Sequence, residues 1–96
     1  MSRKPKLPSP SQGDVVLVDW EDIHEDGTWQ PAEVPEPRVC HCETVGFVGS
    51  IGPKYLVLVR TYGTTAGEKV AGDRITIPRG CITNITLLAT KEGKLP

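Results

Sequence analysis

Five side chains in this sequence belong to types that bind zinc: His24, Cys40, His41, Cys42 and Cys81. Structural zinc sites usually separate paired cysteines by roughly two to four residues. Cys40 and Cys42 are one apart in a stretch that alternates like a strand, which places both thiols on one face and His41 on the other. The same residues supply the types of a thiol–imidazole nucleophile, but no motif places them. Reduced thiols packed in or beside a core are the expectation, with no metal and no cofactor. Glu21, Asp22, Glu25 and Asp26 would suit acid–base work or cation binding, yet they stand in one acidic stretch and read as a solvated charge run. "GFVGSIG", residues 46–52, lacks the lysine and the following helix of a phosphate cradle. The chain is therefore expected not to be an enzyme.

Binding residues are the remaining class. Trp20 falls on a strand and reads as core. Trp29 stands in a polar loop between Gly27 and Pro31, where it either folds back as a lid or stacks on a ligand or partner subunit. Tyr55 and Tyr62 flank an apolar strand with Lys54 and Arg60 nearby. Aromatic faces beside cationic groups suit a base and a phosphate, while plain packing with polar tips is the alternative for each residue.

These side chains need elements to position them. At 96 residues the chain is one domain, large enough for a modest core, and an oligomer is expected to add to its stability. Residues 1–12, with three prolines, read as a flexible tail, residues 13–90 as the domain and residues 91–96 as a second tail. Residues 14–23, "DVVLVDWEDI", alternate as a first strand. Residues 21–38 hold three prolines and six carboxylates and read as a long loop, where Thr28 would cap one helical turn near Pro31. Strands return at 39–51, bent at Gly46 and Gly49, and at 55–62 after a Gly52-Pro53 turn. The glycine-rich residues 63–73 read as a mobile loop, and "RITIP" with "CITNITLLA" give the last two strands. Five short strands and scarcely any helix predict a small all-β barrel.

Charge and cysteine usage exclude several functions. Eleven basic against twelve acidic residues give a net charge of −1, which is no polyanion-binding footprint. No apolar run approaches a membrane span and no secretory leader is evident, so the cytosol, away from membranes, is the expected location. Three cysteines, an odd number, do not suggest a disulfide framework.

"ITIPRGCITNIT", residues 75–86, resembles the second motif of the Sm-like proteins, in which a strand ends in Ile/Val-x-Arg-Gly and the chain turns at once into the last strand; Ile77 is offset by one from that spacing. "TVGFVGSIGPKYLVLVRTYG", residues 44–63, is similar to the first motif, a glycine-bent strand, a short loop and a Leu/Val-rich strand. The resemblance implies an Sm-like or SH3-like five-stranded barrel with Arg79 at a loop rim, a corner at which Gly80 takes angles denied to other residues, and RNA contact in a ring. The loop after the second strand, "GPKY", residues 52–55, carries neither the Asp nor the Asn of that family. The chain also looks like a group of short bacteriophage and prophage proteins, through Trp20-Glu21-Asp22, Gly27-Thr28-Trp29, residues 42–48, Tyr55-Leu56-Val57-Leu58 and residues 77–81.

The resulting expectation is a homo-oligomeric barrel that captures a small nucleotide-type ligand, such as a host immune signal, through Arg79, Lys54, Tyr55, Trp29 and Arg60. An RNA-binding ring and a protein–protein inhibitor of a host factor are the alternatives.

Overall fold

The computed structural model describes residues 9–23, 27, 29, 32–33 and 37–96. Five strands follow one another: β1 Val15–Ile23, β2 Val39–Ile51, β3 Tyr55–Thr65, β4 Glu68–Pro78 and β5 Ile82–Ala89. A single 3₁₀ turn, Arg79–Cys81, separates the last two. They form one antiparallel sheet in the order β4-β3-β2-β1-β5. The all-β reading holds, and the β2 bounds are those read from the sequence. No ladder joins β4 to β5, so both are edge strands of the sheet.

Period-two patterning explains which face is buried. Val16 and Val18 of β1, Val48 of β2, Leu56 and Leu58 of β3, Ile77 of β4, and Ile82 and Ile85 of β5 pack into one cluster, flanked by half-buried Trp20, Ile75, Cys81 and Leu87. Register places these residues on a common face, since Val18 lies opposite Ile85, Val48 opposite Leu58, and Leu56 opposite Ile77. The sheet curls enough for its two edge strands to share that core. Trp20 joins it, as its strand position implies, and its indole N–H donates to the Thr44 hydroxyl at 3.0 Å.

Both ends of the domain converge on Asp14, the one buried charged residue among those described. Its carboxylate accepts from the Ser11 amide at 2.9 Å and the Lys91 amide at 3.1 Å. Its carbonyl accepts from Val48, and the Gly13 amide donates to the Val48 carbonyl. Ser11 and Gln12, read as part of a tail, are thus hydrogen-bonded to the domain, Gln12 through Gly49. Residues 90–94 close a turn in which the Thr90 carbonyl accepts from Gly93.

Two sequence expectations need correction. Residues 63–73 are not a mobile loop: β3 and β4 pair from Tyr55–Pro78 out to Thr65–Glu68, and only Ala66 and Gly67 turn between them. The β-branched Thr61, Thr64, Thr65 and Val70 favour extension, while Gly63, Gly67 and Gly72 gave the stretch its loop-like composition. Gly67 (φ 81°) and Ala66 (φ 52°) both have positive φ, as a tight two-residue hairpin turn demands. The corner at Gly80 also differs. It is a 3₁₀ turn in which Gly80 keeps an ordinary backbone angle, and a side chain there would meet nothing within 4 Å.

The glycines that matter lie in β2. The ladder slips between Val48 and Ser50, a bulge at Gly49, where an added Cβ would sit 2.8 Å from Val59 Cγ2. A Cβ on Gly46 would lie 3.2 Å from both Leu58 Cβ and the Val59 carbonyl oxygen. Here β2 and β3 approach most closely before parting. Their pairing begins at Phe47–Val59, and beyond it β2 continues only with β1 and β3 only with β4.

The residues that carry the expected Thr28 cap and most of the loop after β1 lie outside those described. No helix among the described residues is long and apolar enough to cross a membrane.

Candidate functional site

Where the β1–β2 and β3–β4 hairpins separate, they leave a cleft of about 640 Å³. That is within the range of small-ligand sites, roughly 300–1,000 Å³. It is lined by Glu43, Thr44 and Val45 of β2, Leu58 and Arg60 of β3, and Asp73, Arg74 and Ile75 of β4. Consecutive strand residues point to opposite faces, so a lining of 43-44-45 and 73-74-75 describes a slot through the sheet. Leu58 and Ile75 are opposite one another and give it an apolar floor.

The walls are polar. Two arginines and two acidic residues line the cleft, Arg60 and Asp73 from the face of Leu58 and Arg74 from the other, and neither Arg60 nor Arg74 is held in an ion pair among the described residues. The hairpin is irregular at this point: pairing passes from Val59–Arg74 to Thr61–Gly72, and Asp73, opposite Arg60, has φ 53°. A non-glycine residue in that region costs on the order of 1 kcal/mol. Along β2, residues 43–45 face the slot with a backbone edge that no β3 residue pairs.

The other expected site residues gather elsewhere. Arg79 is half-buried, and its Nε donates to the Gly52 carbonyl at 3.1 Å while its amide donates to the Lys54 carbonyl at 2.8 Å. Gly52 N–H donates to Tyr55, and Tyr55 pairs with Pro78. Lys54, Tyr55 and Arg79 therefore form one cluster, in which Arg79 clamps the β2–β3 turn to the corner before β5. Arg60 is five residues further along β3, about 16 Å at strand spacing. Of the five residues singled out from sequence, Arg60 alone lines the cleft. Trp29 is fully exposed and covers nothing. Tyr62 packs edge-on against Phe47 at 5.4 Å, with Lys69 4.4 Å above its ring.

Arg74, Asp73 and Glu43 were missed. The signal was available only through register: once residues 63–73 are read as strand, Asp73 and Arg74 fall beside Arg60.

The thiols occupy a third location. Cys40 and Cys42 share a face at the far end of β2, with sulfurs 3.8 Å apart, while His41 turns to the other face beside Glu21 at 3.8 Å. Partial desolvation holds the Cys42 thiol above its ordinary range, reinforced by its hydrogen bond and charge coupling to Cys40 and then by Asp22. Among the described residues no group of three or more potential metal ligands converges.

Comparisons with protein-family models, curated proteins and solved structures find no match to this chain.

Proposed function

We propose that this protein is a non-enzymatic binding protein, of the kind a phage makes, that captures a small nucleotide-type ligand in the slot between its two hairpins. The observation that carries this reading is the slot's lining: two guanidiniums without an ion-pair partner among the described residues, an apolar floor and an open backbone edge in one cleft. Arg60 and Arg74 suit phosphate oxygens. Leu58 and Ile75, opposite one another, suit the face of a base, and those amides and carbonyls of residues 43–45 that point away from β1, with Glu43 and Asp73, suit its polar edge. Among the described residues no arrangement of nucleophile, base and orienting group accompanies them, and sequestration needs affinity without turnover.

The fold reading that goes with this is a small Sm-like or SH3-like barrel assembled as a homo-oligomer in the host cytosol. Its support is that β4, ending in Ile77-Pro78, runs through the one turn Arg79–Cys81 into the last strand. The two open edges, β4 and β5, lie at opposite ends of the sheet order, and a head-to-tail edge contact between copies would satisfy both. Lys54, Tyr55 and Arg79 then form a second cationic patch, where the guanidinium keeps nitrogens free for a phosphate.

A second reading has one observation in its favour. The unpaired edge of β2 before Phe47 would also accept an extended segment of a host protein as an added strand. Native mass spectrometry of protein purified from a bacterial host separates the readings: a retained nucleotide mass on an oligomer supports capture, whereas a monomer carrying nothing, or a co-purifying polypeptide, counts against it.

A further inference from the structure

The exposed end of β2 carries a feature that the ligand cleft does not use. Cys40 and Cys42, with only His41 between them, stand on one face, their sulfurs 3.8 Å from each other, one exposed and one half-exposed. We propose that this pair is a chelating site for a soft, thiophilic cation of the zinc, cadmium or cuprous class.

The geometry supplies the argument. With metal–thiolate bonds of about 2.3 Å, sulfurs 3.8 Å apart subtend about 110° at the ion, close to the tetrahedral angle. The pair therefore needs little rearrangement to close on a metal. A strand sets this spacing, because residues i and i+2 of one strand project side by side from the same face. Two sulfurs select soft ions over magnesium or calcium, which require oxygen ligands. Asp22, the cross-strand neighbour of Cys40, adds negative charge nearby. His41 faces the opposite side and Cys81 packs against the core, so neither belongs to the chelate. The remaining coordination positions stay open to water or to another molecule's donors.

Binding is a proton-for-metal exchange: a divalent ion displaces one proton from each thiol, two sulfur–metal bonds form, and nothing is oxidised or reduced.

The test is titration of the reduced, full-length protein with cadmium ion alone, read by the thiolate-to-metal charge-transfer absorption and by quenching of Trp20, which lies opposite Cys42. A Trp29→Phe background isolates that indole. Saturable binding is expected, weakened at least 100-fold by Cys40→Ser or Cys42→Ser, unaffected by Cys81→Ser, and not displaced by excess magnesium. Circular dichroism of each variant confirms the fold, and alkylation of the folded wild-type protein at both thiols must abolish binding as the substitutions do. Absence of a charge-transfer band at millimolar cadmium, or a band that survives either β2 serine substitution, overturns the proposal. Both results are independent of whether the slot holds a nucleotide.

Discussion

Replacing Gly46 by Ala would place a methyl group 3.2 Å from Leu58 Cβ and 3.2 Å from the Val59 carbonyl oxygen. Gly46 is buried, and the two atoms met are a backbone carbonyl oxygen and the Cβ of buried Leu58, both fixed by the backbone, so neither can swing away from the methyl group. Overpacking a filled interior costs about 1–3 kcal/mol. Loss of glycine's freedom in the unfolded chain offsets about 0.4–1 kcal/mol of that. The net expectation is a destabilisation of roughly 1–2 kcal/mol, and for a domain of this size each kcal/mol lowers Tm by about 4–8 °C. Calorimetry should therefore show Tm falling by roughly 5–15 °C, with an unchanged urea m-value. Gly80→Ala is the internal control, since its added Cβ meets nothing within 4 Å and its φ is ordinary; that variant should be neutral or slightly stabilised. If Gly46→Ala melted at or above the wild-type temperature, or fell no further than Gly80→Ala, β2 and β3 would not cross as closely as the slot requires.

Other consequences follow from single contacts. Ala66→Gly or Ala66→Asn relieves a positive-φ alanine in the β3–β4 turn and should raise stability by about 0.5–1 kcal/mol in urea unfolding. Asp14→Ala removes the acceptor shared by the Ser11 and Lys91 amides and should cost about 2–3 kcal/mol, measurable in the same assay. Arg79→Ala loses the clamp onto Gly52 and should lower stability by about 1 kcal/mol, with a smaller effect on nucleotide affinity than Arg74→Ala. Because desolvation first, and then Cys40, raises the pKa of Cys42, its alkylation should accelerate only at alkaline pH. Cys40→Ala removes two of the causes and should move that alkylation midpoint to lower pH, as followed by mass spectrometry.

Much of the sheet was legible because its signals are local. Alternation of Val16, Val18 and Trp20 fixed β1, Gly49 announced the bulge, and Gly52-Pro53 announced the turn into β3. The outer half of the β3–β4 hairpin was not legible. Its threonines, glycines and alanines bury nothing, and its turn carries Ala66 where Asn or Asp would have signalled a hairpin. That single misreading hid the cleft. Arg60 was selected for its charge beside aromatic residues, but Arg74 and Asp73 become its neighbours only through pairing across the hairpin. Arg79 was selected for its place at a corner, and the corner itself engages it by hydrogen-bonding Nε to Gly52.

The most direct test of the central claim is equilibrium binding of a panel of mononucleotides and cyclic dinucleotides to wild type, Arg60→Ala and Arg74→Ala at two salt concentrations. At least one member of the panel is expected to bind wild type saturably with shallow salt dependence, and each substitution to weaken it ten-fold or more while Tm holds. Failure of every nucleotide to bind, or equal affinity in all three proteins, would contradict that claim.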